Sequence, residues 1–118
     1  MNNLIIEIMD TCGEAIKYIE NLIKKNNIVE AIELLVTLRE LIYKVLNQMK
    51  VNNNITDFSE KYCNNIIYSI DKILLQNKNI ERYFYFEVSP LVKELIKSIS
   101  FELNIINNNE SLNIYSKE

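Results

Sequence analysis

A chain of 118 residues with one glycine, Gly13, and one proline, Pro90, lacks the punctuation that β-rich folds depend on. Sandwiches and barrels reverse direction roughly every 8–12 residues, through turns built largely on Gly, Pro and Asn. This chain can reverse only a few times. Long helices joined by short connections meet that condition. Asparagine marks the breaks, at Asn26-Asn27, at Asn52-Asn53-Asn54 and after Gln76-Asn77.

Hydrophobic spacing supports the same architecture. Ile5, Ile8, Cys12, Ala15, Ile19 and Leu22 recur at three- and four-residue intervals, and Met9, Ile16 and Ile23 widen the stripe. Three to four residues is the period of one helix face. Gly13 lies inside this pattern, and Thr11-Cys12-Gly13-Glu14 has the spacing of a capping box. The stripe keeps its phase across Gly13, which favours one continuous helix. A second stripe runs through Ile28, Ile32, Leu35, Leu38, Ile42, Val45 and Met49, with Leu41 and Leu46 beside it. Glu20 precedes Lys24, and Glu40 precedes Lys44, by the four residues that favour an ion pair along a helix.

A third stripe, Phe58, Tyr62, Ile66, Ile70, Ile73 and Leu74, follows a cap expected at Asp57 with Glu60 three residues on. A fourth comprises Leu91, Leu95, Ile99 and Leu103, flanked by Val92, Ile96 and Ile106. Ser89-Pro90 before it has the form of an N-cap and a first helical residue, so the fourth helix is expected to break or kink there. Residues 80–88 remain open among helix, strand and loop. The expectation is an all-α, four-helix antiparallel bundle in one domain over 1–106, with a flexible tail over 107–118.

Composition removes several classes of function. Thirteen basic and sixteen acidic residues are interspersed and sum to −3, without the Lys/Arg cluster that nucleic-acid phosphates require. No apolar run approaches the ~18 residues that span a bilayer, and Glu7 and Asp10 interrupt any signal-like start. A cytoplasmic location is expected. Cys12 and Cys63 fall on apolar faces, which predicts buried, reduced thiols.

Catalytic chemistry has little to work with. The chain contains no histidine, no Cys-x-x-Cys pair and no glycine-rich phosphate loop. Glu7, Asp10 and Glu14 share a helical face at i, i+3 and i+7, opposite the apolar stripe, where a solvated surface accounts for them. Neither a metal nor a cofactor is expected, and the chain is read as a non-enzyme.

One segment stands apart. Tyr83-Phe84-Tyr85-Phe86 places four consecutive aromatics around about 300° of a helix, more than one core covers. Phe84 is expected to point inward, in step with Ile80 four residues before it and Leu91 seven after. Tyr83 and Tyr85 are expected to be at least partly exposed, either at a partner surface or with their hydroxyls reaching water from the core margin. Tyr83, Tyr85, Phe86, Glu87 and Pro90 form the candidate interface.

The stretch Phe84-Tyr85-Phe86-Glu87-Val88-Ser89-Pro90-Leu91 resembles a Leu-Glu-Tyr-Glu-Leu-x-Pro-Leu segment of small uncharacterised helical-bundle proteins of Gram-positive bacteria. Glu87, Pro90 and Leu91 carry the match, whereas Tyr85 replaces an acidic residue. Those proteins also begin with two long amphipathic helices, so the resemblance implies a helical fold and no particular activity. The function expected is protein–protein interaction, as an adapter or a self-associating bundle. An inhibitor or antitoxin-like regulator that occludes an enzyme is the alternative. The partner is another protein or a second copy, neither nucleic acid nor membrane.

Overall fold

A computed structural model describes residues 2–52, 56–76 and 78–101. Among them four helices follow in order and no strand occurs: α1 (Asn2–Lys24), α2 (Ile28–Val51), α3 (Asp57–Gln76) and α4 (residues 80–101). Gly13 lies within α1 without interrupting it. A Cβ at that position would meet Ile96 Cδ1 at 3.7 Å, an ordinary contact.

Cross-helix partners fix the topology. Arg39 Nε lies 2.7 Å from Asp71 Oδ1 and Lys50 Nζ 3.9 Å from Glu60 Oε1, so α2 and α3 run antiparallel. Across the other seam Glu20 meets Ser89 and Gly13 faces Ile96, which sets α4 antiparallel to α1. Lys72 and Glu87 join α3 to α4. The bundle is up-down-up-down, with each helix beside its neighbours in sequence and α4 closing against α1.

Asparagine substitutes for glycine at the two turns of one end. Asn26 (φ 61°) and Asn79 (φ 55°) both take the left-handed conformation, which Asn tolerates better than most side chains do. The N–H of Asn27 donates to the Leu22 carbonyl at 2.8 Å, and that of Asn26 to the Ile23 carbonyl at 3.0 Å. These are the paired bonds of a Schellman cap, with Asn26 in the position Gly usually occupies. The cap of α3 is Thr56 and not the expected Asp57. Thr56 Oγ1 accepts the N–H of Ser59 at 3.1 Å, the third helical residue, as an N-cap hydroxyl should. Asp57 then sits in the first turn, where its charge suits the helix dipole.

The core follows the α1 and α2 stripes closely. Ile5, Ile16, Ile19, Leu35, Leu38, Ile42 and Val45 are almost wholly enclosed, although Ala15, Ile28 and Ile32 stop at its margin. On α3 the interior face passes through Ser59, Cys63, Ile66, Ile70 and Ile73. Phe58, expected inside, lies one residue and about 100° off that face, and is 57% exposed. On α4 the core takes Val88 and Val92, while Leu91 is half-buried. Leu103, Ile106 and the 107–118 segment lie outside the described residues.

The irregularity expected at Ser89-Pro90 is present in a different form. Ser89 does not begin a new helix, because its backbone is already helical (φ −60°, ψ −48°). Instead the turn just before it, Phe84–Val88, is π-helical, and the Ser89 N–H reaches back to the Phe84 carbonyl. Two causes converge here. Proline has no N–H and its ring crowds the carbonyl four residues earlier, that of Phe86, so a wider turn relieves the clash. The buried residues Ile80, Phe84, Val88 and Val92 are also spaced by fours. Each four-residue step overshoots an α-helical turn by about 40°, and three would swing the stripe by about 120°. The wider turn absorbs that excess and keeps one face inward.

Candidate functional site

The five candidate residues surround this π turn, and they divide between two sides of α4. Phe84 is fully enclosed, as its spacing from Ile80 predicts. Tyr85 turns toward α1, half-buried, and its hydroxyl donates to the Glu20 carbonyl oxygen at 3.4 Å. Its ring meets Phe84 edge-on, with centroids 5.6 Å apart. Partial burial raises the pKa of Tyr85 above the ordinary phenol value, and the charges of Glu20 and Glu81 add to it. Glu20 also accepts a hydrogen bond from Ser89 Oγ at 3.4 Å and lies 3.7 Å from Lys93 Nζ. Tyr85 thus belongs to the α1–α4 seam.

Tyr83 turns the other way, toward α3. It is half-buried beneath Lys72, whose Nζ stands 4.7 Å from the ring centroid, a cation–π distance. The same Nζ lies 3.7 Å from Glu87 Oε1. Both tyrosines rest against the core, so each is a margin residue and neither protrudes.

The aromatic that protrudes is Phe86, 78% exposed. It forms a ridge between two hollows. One, of about 480 Å³, runs between α3 and α4, with Tyr62, Asn65, Tyr68 and Lys72 on one wall and Glu87, Pro90, Leu91 and Glu94 on the other. The other, of about 770 Å³, opens at the end of the bundle beside Ile28, Asn79, Glu81 and Arg82. A smaller recess of about 150 Å³ continues the first hollow past Phe58, Lys61 and Tyr62. Phe58 and Tyr62 stack edge-to-face there at 4.7 Å.

The structure therefore brings Phe86, Glu87 and Pro90 together on the α3–α4 face, with Tyr83 at its base and Tyr85 elsewhere. It adds residues that the sequence reading left out, chiefly Tyr68 (70% exposed) and Leu75 (86% exposed) on the outer side of α3. Both fall off the buried stripe, and they stand seven residues apart, two helical turns on one line. That spacing was the available signal.

The two thiols are enclosed. Cys12 and Cys63 are free and have no exposure. Burial pushes both pKa values up to about 12, assisted by Cys63 for Cys12 and by Glu60 for Cys63. Thiolate is the reacting species, so at pH 8 each is expected to react with an aromatic disulfide at least about a thousandfold more slowly than in denaturant. Rapid labelling of the native protein would contradict this. Because the folded pKa lies above the unfolded one, the two thiols contribute stability fully below pH ~9, and that contribution is lost as pH rises toward 12.

Glu7, Asp10 and Glu14 are exposed along α1. Among the described residues no group of three or more His, Cys, Asp or Glu side chains is placed to hold a metal ion. No helix among them is long and apolar enough to cross a membrane. Comparisons of the chain with models of known protein families, with curated proteins and with solved structures find no match.

Proposed function

We propose that the protein is a non-enzymatic interaction module whose working surface is the α3–α4 face around Phe86. The observation that carries this reading is a large aromatic, 78% exposed, standing as a ridge between two hollows. An aromatic anchor with an adjoining cleft is the arrangement that concentrates binding energy at protein interfaces. Tyr68, Leu75 and Phe58 add further exposed apolar side chains along α3, and exposed apolar surface grouped on one face suits an interaction site. The half-buried Tyr83 and Tyr85 hold the ridge in place.

The test compares wild type with Phe86→Glu as immobilised baits in extract of the source cells, with cross-linking and mass spectrometry of what each retains. Wild type is expected to hold a defined set of proteins that the variant loses, while both give the same helical circular dichroism. An enzyme in that set would make the module an inhibitor, and a non-enzymatic protein an adapter. Identical sets from both baits would place the working surface elsewhere.

A further inference from the structure

We infer that the partner on this face is a second copy of the chain, related by a two-fold axis parallel to the helices, with Phe86 of each copy entering between Tyr68 and Leu75 of the other. The inference rests on the interaction-module reading and names its partner.

Heights along the bundle come first. The contact of Lys72 Nζ with Glu87 Oε1 across the groove puts residues 72 and 87 level. At 1.5 Å per residue, Phe86 is then within about 2 Å of the height of Lys72, with Tyr68 about 6 Å to one side and Leu75 about 4.5 Å to the other. A two-fold parallel to the helices preserves height and lays α3 of one copy across α4 of the other. Phe86 thereby faces the space that Tyr68, Lys72 and Leu75 enclose at i, i+4 and i+7, the form of a knob-into-hole contact. The most exposed apolar side chains of α3 and of the π turn, at 70%, 86% and 78%, cover one another.

Charge selects the same axis. Lys61 and Lys72 reach the groove from α3, and Glu87 and Glu94 from α4. An axis along the helices sets the lysine rim of each copy against the glutamate rim of the other. An axis across them sets like on like, which is destabilising. Lys97, 3.8 Å from Glu94 and 77% exposed, stands on the α4 side of this rim and offsets part of the pairing.

Size is adequate. α3 is 20 residues, or about 30 Å, and two adjacent helices are about 20 Å wide, a footprint of about 600 Å². Accessible area exceeds footprint on a ridged surface, and specific interfaces bury about 800 Å² per partner.

Sedimentation velocity of the full chain from about 1 to about 500 µM tests the inference, since that range resolves micromolar affinity. Wild type is expected to move from monomer to dimer, with Phe86→Leu close to it and Phe86→Glu at least about 100-fold weaker, each with unchanged circular dichroism. Orientation is read by mixing chains carrying Phe86→Cys with chains carrying Leu75→Cys under mild oxidation, where the mixed disulfide should outweigh both like pairs. Monomer throughout, dimerisation indifferent to Phe86→Glu, or dominant like-pair disulfides would each overturn the inference. If wild type stays monomeric while Phe86→Glu still releases a different protein from the bait, the second copy is excluded and the interaction-module reading stands.

Discussion

Phe84→Ala is expected to lower the free energy of unfolding by about 3–5 kcal/mol, whereas Phe86→Ala should change it by less than about 0.5 kcal/mol in the monomer. The two phenylalanines are two residues apart in one π turn, and their environments are opposite. Phe84 has no exposed surface and ranks among the largest fully enclosed side chains. Truncating it removes a benzyl group's transfer free energy and leaves a cavity that Ile80, Val88 and the Tyr85 ring can only partly fill. Phe86 has 78% of its surface in water already. Domains of this size are stable by about 5–15 kcal/mol, so Phe84→Ala would remove about a fifth or more of the total. Urea titration at low protein concentration measures both: the midpoint should fall steeply for Phe84→Ala at unchanged slope, and hardly at all for Phe86→Ala. Equal losses would mean that the turn is not oriented as described.

The second large effect concerns deletion. Removing one residue from an α-helix rotates everything beyond it by about 100° and ordinarily ruins the buried face. In the π turn the outcome should differ. The buried apolar positions of α4 are Ile80, Phe84, Val88, Val92, Leu95 and Ile99, at intervals of 4-4-4-3-4. Removing Phe86 changes these to 4-3-4-3-4, the spacing of an uninterrupted α-helix. Combined with Pro90→Ala, which restores the missing N–H, the deletion is expected to keep the fold with a loss of at most about 2 kcal/mol. Removing Lys93 brings Val92 and Leu95 two residues apart, swings Leu95 and Ile99 out of the core, and should cost about 4 kcal/mol or more. Thermal unfolding followed by circular dichroism decides between them. Comparable melting temperatures for the two deletions would show that the π turn is not what keeps α4 in phase.

Much of the bundle was legible because α1 and α2 obey one simple period. Their apolar residues recur by threes and fours along most of each helix, and Asn26-Asn27 stands where a Schellman turn needs it. Legibility fell where a local pattern admitted two phases. Phe58 and Ser59 both begin plausible stripes, and hydrophobicity alone favours the aromatic, yet the face set by Ile66, Ile70 and Ile73 selects Ser59. Leu91 misled for the same reason, since Val88 and Val92 continue the inward face only once the π turn has shifted it. Ser89-Pro90 has every mark of a helix start, and only the bond from Ser89 N–H to the Phe84 carbonyl discloses that the helix has already begun. For the site, four adjacent aromatics announced that some must leave the core, but which ones did depends on neighbours remote in sequence. Tyr83 is covered by Lys72 and Tyr85 by Glu20, and neither partner is visible in local spacing. Phe86 has no such cover.

The seam at Glu20 also bears on the order in which the bundle assembles. α1 with α2, α2 with α3, and α3 with α4 are hairpins joined by short connections, so their contacts close small loops of chain. Tyr85 and Ser89 reach Glu20 across 65 and 69 residues, and closure entropy rises with the logarithm of that length. The α1–α4 seam is therefore expected to close after the sequence-adjacent hairpins and to be the first to part when the native state opens locally. Opening of the seam uncovers the flank of α1 that Ile96 and Tyr85 otherwise shield. The lifetime of that opening, more than any property of the closed bundle, sets how long that flank is exposed to proteases and chaperones.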